Sequence, residues 1–366
     1  MNGCPTGTTA RRRAAAAVAW VVLFSTCPAK PAPPPPEPSV VTPTFDQIRQ
    51  DGWTRVEPGG RTLCARGDPF AYFVHRGDPS RLLVFFTGGG ACQDGATCRP
   101  GSRFFRDTVR YGPDGPPANG ILDFGDPRNP FRDYTAVVIP ECTGDLHWGD
   151  RDVAYVSPLG GSFTIYHRGW VNARSALRWA STNVPSPAEV FVAGCSAGSI
   201  GSAAHAPFVA RRYPEARVTQ LGDSFAGVFP KPIDLDAPYG ARRHLATWLA
   251  PVRDLDPKRL TMTDYYRALV RAIPDQTFSE FSHDNDLAQK LYFLLLGGFP
   301  RQFSRALRVS FDAIETAGPN FSSYIAAGNG HCVLQTPSFY SEGSRVPILD
   351  WVTALASDGQ APTVRP

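Results

Sequence analysis

The sequence predicts an α/β fold over residues 45–366, a mostly parallel sheet with helices on both faces, and three observations carry that expectation. Short apolar runs rich in β-branched and aromatic residues alternate with helical patterns along the chain. Each run is bounded by Gly, Pro or Asp or by a charged residue. From about Phe45 onward no second proline-rich break and no internal repeat interrupts the alternation. Strands covered on both faces read as continuous apolar runs rather than alternating ones, and their alternation with helices is the pattern of a parallel sheet. The 366 residues, 42% hydrophobic and 19% charged, would suit one large core or two domains. Without a second break, one domain is expected.

Residues 1–29 place Arg11, Arg12 and Arg13 ahead of an apolar run at 14–24 that is too short to span a bilayer. That order reads as an export signal. Cleavage after Ala29 would follow the small residues Cys27 and Ala29, whereas cleavage before Cys27 would leave that cysteine for a lipid anchor. The Pro-rich stretch 30–44 reads as an extended spacer. Within the fold, 82–86, 135–139 and 190–193 read as buried strands, and 218–221 and 321–326 as strand-like. Helical periodicity marks 171–181, 197–212, 242–248, 287–296, 302–316 and 346–356.

The net charge of +4 comes from 37 basic against 33 acidic residues, with three arginines gathered ahead of the fold. No folded segment carries a basic stripe, so nucleic acid is not an expected partner. Export places the cysteines in an oxidising compartment, where disulfides persist. Leaving aside Cys4 and Cys27, six remain: Cys64, Cys92, Cys98, Cys142, Cys195 and Cys332. Cys92 and Cys98 flank a short loop of polar and small residues and are expected to pair. No metal is expected, since the cysteines do not fall into two close pairs and no histidine pair stands at ligand spacing.

Gly194-Cys195-Ser196-Ala197-Gly198 follows an apolar strand and opens a small-residue helix, the context in which G-x-S-x-G forms a nucleophile elbow. That context makes the expected fold α/β-hydrolase-like, with Ser196 as nucleophile. Gly88-Gly89-Gly90 follows the early strand, where exposed backbone N–H groups would hold an oxyanion, and Gly89, Gly90 and Ala197 are the candidate donors. Four histidines follow Ser196, and His331 fits a general base best because it ends a glycine turn directly after the strand-like 321–326. The acid is open among Asp223, Asp284 and Asp286. On order alone Asp223 and Asp286 are nearly tied, and any of the three would also serve as a helix cap.

These blocks together resemble the pectin acetylesterase and Notum family of extracellular carboxylesterases. Cys64-x-x-Gly67-x-Pro69-x-Ala71-Tyr72 leads to His75-Arg76-Gly77, and Gly88-Gly89-Gly90-Ala91-Cys92 leads to Cys98. Cys142-x-Gly144 leads to Gly149-Asp150, Arg168-Gly169 opens a helix, and the serine motif precedes Asp223, Asp286-Leu287-Ala288-Gln289 and His331-Cys332. The resemblance implies that the acid is Asp286, in an Asp-x-x-Gln pattern, and that Asp223 is structural. It also implies that Cys64 pairs with Cys142, while Cys195 and Cys332 stay reduced or pair with each other. Three features differ: Thr87 stands where an acidic residue is usual, Ala91 replaces a large aromatic one, and 299–311 does not align.

The expected function is that of a secreted or envelope-anchored serine carboxylesterase acting on an O-acetylated polysaccharide, with no metal or organic cofactor and a membrane contact only through an anchor at Cys27. Two alternatives stand beside it. One is a deacylase of longer acyl chains or polyesters. The other is an inactive envelope protein that binds glycans through Trp148 and Trp170 as surface aromatics. Without an aromatic at 91, Phe86, Phe225 and Trp148 are the candidates to wall the acyl side of the pocket, and His147 is a candidate lining residue.

Overall fold

Strand β3 (Asp78–Phe86) sits at the middle of an eight-stranded sheet, flanked by β4 (Tyr134–Ile139) and β7 (Glu189–Cys195). Beyond β7 come β8 (Arg217–Asp223), β9 (Thr277–His283) and β10 (Phe321–Ala326), all parallel. Beyond β4 the edge turns antiparallel through β2 (Tyr72–His75) and β1 (Trp53–Val56). A separate antiparallel hairpin is formed by β5 (Arg151–Val156) and β6 (Ser162–His167). This computed structural model describes residues 41–366 apart from Pro257 and Ser344. The expected export signal, Cys27 as the candidate lipid-anchor site, and residues 30–40 of the expected spacer lie outside the described residues.

The two faces of β3 show how the layers are divided. Leu82, Val84 and Phe86 pack with Ala173, Ala176 and Leu177 of α1 (Gly169–Asn183) and Val209 of α2 (Ala197–Arg212). Leu83 and Phe85 point the other way, toward Ile348, Trp351 and Leu355 of α8 (Ile348–Asp358). Successive strand side chains alternate faces, so a continuous apolar run feeds two cores at once. At the far end Phe278 of β9 and Phe321 of β10 meet α5 (Met262–Ala272) and α7 (Phe303–Glu315). The short helices α3 (Asp236–Tyr239) and α4 (Ala250–Arg253), with α6 (Leu287–Leu295), complete the set.

Residues 242–248 do not form the expected helix. Gly240, at φ 66°, starts only a 3-10 turn, Ala241–His244, and Leu245 is already extended at ψ 144°. Burial of Leu245 and Ala246 satisfies the apolar periodicity without a helix, and Trp248 is carried outward onto Phe208. The last helix starts at Ile348 rather than at 346 because Pro347, at ψ 140°, holds its N-cap in extended backbone.

Candidate active site

Ser196, Asp286 and His331 follow the carboxyl ends of β7, β9 and β10, the end of an open parallel sheet where ligands bind. Ser196 sits between strand and helix at φ 56°, ψ −122°, a conformation that non-glycine residues adopt only when the surroundings enforce it. Its N–H donates to the Asp223 carbonyl at 2.8 Å. The flanking glycines permit the turn by close approach. A Cβ at Gly194 would lie 2.0 Å from the Gly198 carbonyl oxygen, and one at Gly198 would lie 2.1 Å from that of Phe86. The serine is left 9% exposed.

Asp286 is the N-cap of α6, and the cap explains its fixed orientation. Its Oδ1 accepts the Gln289 backbone N–H at 3.0 Å, and its Oδ2 accepts the Gln289 side-chain amide at 3.0 Å. The same Oδ2 lies 2.8 Å from His331 Nδ1. Gln289 is held in turn, donating to Ser282 Oγ at 2.7 Å and accepting from Ala226 N–H at 3.2 Å. The carboxylate is fully buried while the imidazole is 28% exposed, so the pair presents one face to solvent.

The other two acids have different partners. Asp223 Oδ2 accepts the Val333 and Leu334 N–H groups, each at 2.8 Å, and its Oδ1 accepts Ser224 Oγ. It clamps the backbone just beyond His331, and burial pushes its carboxyl up to about 6. Asp284 accepts from Gly328 N–H at 3.1 Å.

Ser196 and His331 line one cleft of about 740 Å³ together with the glycine loop, and no hydrogen bond joins the two side chains. A disulfide between Cys195 and Cys332 links the residue before Ser196 to the residue after His331. Cys64–Cys142 and Cys92–Cys98 are the other two disulfides. Among the described residues, the N–H groups of Gly89, Gly90 and Ala197 have no hydrogen-bond acceptor, whereas those of Ala91 and Ser196 do.

The glycine loop rests on a buried polar cluster. The Thr87 hydroxyl accepts the Glu141 N–H at 3.1 Å, and His147 Nε2–H donates to the Thr87 carbonyl at 3.0 Å. Glu141 accepts backbone N–H groups of Thr143, Gly144 and His147. Burial pushes the Glu141 carboxyl up and the His147 imidazole down to about 4. His147 is therefore a support under the loop and not the pocket-lining residue expected from its position.

An apolar cavity of about 260 Å³ opens on the other side of Ser196, lined by Ala91, Leu146, Phe225, Phe229, Tyr292 and Leu296 among others. Of the three residues expected to wall it, only Phe225 does so. Phe86 stacks on His205 beneath the sheet at 5.1 Å, and Trp148 is fully buried against Tyr265 at 5.2 Å. Nor are the tryptophans surface aromatics, since Trp170 is sandwiched between His205 and His244, each at 4.4 Å. Sequence reasoning missed Tyr292, which lines both cavities. Its hydroxyl donates to the Phe104 carbonyl at 2.6 Å and accepts Ala91 N–H at 3.3 Å. The only sequence signal was its position two turns into the helix that Asp286 caps.

Among known proteins, the family model for pectinacetylesterase matches residues 57–249. Two crystal structures of the Wnt deacylase Notum from Drosophila share the fold. One has a TM-score of 0.65 and 17% identity, covering 86% of this chain and 96% of that one. The other has a TM-score of 0.62 and 16% identity, covering 87% and 97%. No curated protein sequence matches the chain.

Proposed function

Because the chain belongs to the pectinacetylesterase family, whose members are carboxylesterase-type hydrolases, we propose that it removes acetyl groups from an O-acetylated polysaccharide by a serine mechanism, with residues 45–366 as one catalytic domain. One observation carries the reading: Ser196, constrained in its strand-to-helix turn, shares a cleft with a histidine whose Nδ1 is committed to a buried carboxylate.

With Asp286 accepting Nδ1–H, the neutral imidazole keeps Nε2 free as a base. Nε2 takes the Ser196 proton as Oγ attacks the ester carbonyl. The N–H groups of Gly89, Gly90 and Ala197 stabilise the oxyanion in the tetrahedral intermediate. The imidazolium then protonates the leaving sugar oxygen, and the acyl-enzyme forms. Water, deprotonated by the same Nε2, releases acetate and restores Ser196. The Cys195–Cys332 link keeps nucleophile and base at a fixed spacing, which favours attack without a search for the geometry.

The cleft supports an acidic polymer as the alcohol side of the ester. Arg103, Arg106 and Arg110 line it, and among the described residues none of the three pairs with a carboxylate. The only acid in the lining, Asp107, is taken by Arg66 at 2.7 Å. The apolar cavity favours a second reading, a deacylase of longer acyl chains, because it offers more volume than an acetyl group fills. The three disulfides agree with export to an oxidising compartment.

Labelling with a fluorophosphonate probe tests the mechanism. The wild type should be labelled and Ser196→Ala should not, and a folded Ser196→Ala protein that retains more than about a tenth of the activity would remove Ser196 from its role. An acyl-length series of 4-nitrophenyl esters then decides between the two readings.

A further inference from the structure

A second groove, of about 440 Å³, lies between α1 and the carboxyl-terminal end of α2, and its lining is basic and aromatic. Arg174 and Arg178 stand one turn apart on α1, and Arg211 and Arg212 end α2. Among the described residues, none of these four arginines pairs with a carboxylate, and the lining contains no acid. The one polar tie is from Arg212 to the Ser181 carbonyl at 2.7 Å. Trp248 closes one side. It is 40% exposed, meets Phe208 edge-on at 4.5 Å, and carries the Arg211 guanidinium over its ring at 4.8 Å.

We propose that this groove is a second binding site for an acidic polysaccharide, remote from the catalytic cleft. Guanidinium forks match carboxylates in a bidentate way, and four unpaired ones around a concavity concentrate positive potential where an anionic chain would lie. Trp248, 40% exposed with the Arg211 guanidinium over its ring, adds what a point charge does not, apolar ring surface against which the C–H face of a sugar ring packs. The ligand is thus a polymer that alternates carboxylates with apolar ring faces. Its identity as a polysaccharide rests on the functional reading given above. Ser196 caps the start of α2 and Arg211 lies 15 residues on, about 22 Å away at 1.5 Å per residue, so the groove cannot be a wall of the cleft. A chain held there raises the local concentration of its own ester groups.

The test compares wild type, Trp248→Ala and Arg178→Glu/Arg211→Glu, all with the catalytic cleft unchanged. Binding to polygalacturonate and to neutral galactan is measured, with kcat/KM on 4-nitrophenyl acetate as the control for folding. Both variants should bind polygalacturonate at least fivefold more weakly than wild type, keep the small-ester kcat/KM within twofold, and lose activity only on acetylated polygalacturonate. Equal polygalacturonate binding by all three proteins overturns the proposal. So does loss confined to the arginine variant and matched on phosphatidylglycerol vesicles, because it would mean unspecific charge attraction. If the wild type fails to hydrolyse 4-nitrophenyl acetate, the esterase reading falls, while the binding comparison still decides the groove.

Discussion

Asp286→Asn keeps the side chain's shape and removes one acceptor, which makes it the sharpest probe of the proposed triad. Oδ1 must remain an acceptor, because the Gln289 backbone N–H points at it from 3.0 Å. The new NH2 group therefore takes the place of Oδ2, 2.8 Å from His331 Nδ1, and gives up the bond that Oδ2 accepts from the Gln289 side-chain amide. An NH2 there donates, so Nδ1 must accept and the ring proton moves to Nε2. A base protonated at Nε2 cannot take the Ser196 proton. By the measure of the serine-protease aspartate, kcat should fall by about 10⁴, or about 5.4 kcal/mol of barrier. KM should change little, because Asp286 is buried and touches no substrate. Asp223→Asn is the matched control. There the amide oxygen can accept both Val333 and Leu334 N–H while the NH2 donates to Ser224 Oγ, so kcat should stay within about tenfold, with the remaining effect in Tm. Steady-state kinetics on 4-nitrophenyl acetate with thermal melts of both variants makes the comparison. A near-normal kcat for Asp286→Asn beside a collapse for Asp223→Asn would refute the assignment.

Three other perturbations bear on the same site. Replacing Cys195 and Cys332 together by Ser opens a link of sequence separation 137 and should cost about 3–5 kcal/mol of stability, read as a shift in denaturation midpoint, with a lower kcat; unchanged values for both would mean the link constrains nothing. Ala91→Trp should fill the apolar cavity and turn preference from butyrate toward acetate, since each buried methylene is worth about 0.8 kcal/mol. Tyr292→Phe, which loses only the bonds to Phe104 and Ala91, should lower kcat severalfold without changing that preference. Burial pushes the Glu280 carboxyl from 4.5 up to about 8. Between those values the native state holds a proton that the unfolded chain has released, so stability is fully present below about pH 4.5 and falls as pH rises toward 8. Glu280→Gln imitates the neutral acid, so its Tm at pH 9 should lie closer to its Tm at pH 5 than in wild type, and parallel curves would contradict the assignment.

What the sequence determined by itself was local. The elbow around Ser196 is set by glycines within two residues of it, and the parallel strands were legible because burial on both faces leaves continuous apolar runs. Other local signals were readable but passed over. Thr261 caps α5 with Asp264 three residues on, and 151–167 carries a hairpin around Gly160 and Gly161. β9 escaped because Ser279, Glu280, Ser282 and His283 give it a polar look that only partners such as Ser199 and Gln220 make tolerable in a core.

Chain order left Asp223 and Asp286 tied as partners of His331, and only the resemblance, through the Asp286-Leu287-Ala288-Gln289 pattern, favoured Asp286. The contact itself is made by the tertiary structure, since each acid follows a strand. β9 pairs with β10, so the turn after β9 lies beside the turn after β10, and Asp286 reaches the imidazole. Asp223 ends β8, one strand further away, and spends its oxygens on the backbone past His331. The Cys195–Cys332 link, across 137 residues, and the contact of Tyr292 with Ala91, across 201, are likewise set by strand order. Periodicity and spacing report what a residue's near neighbours want. The neighbours that shape this pocket are brought together by the pairing of distant strands, which no local pattern encodes.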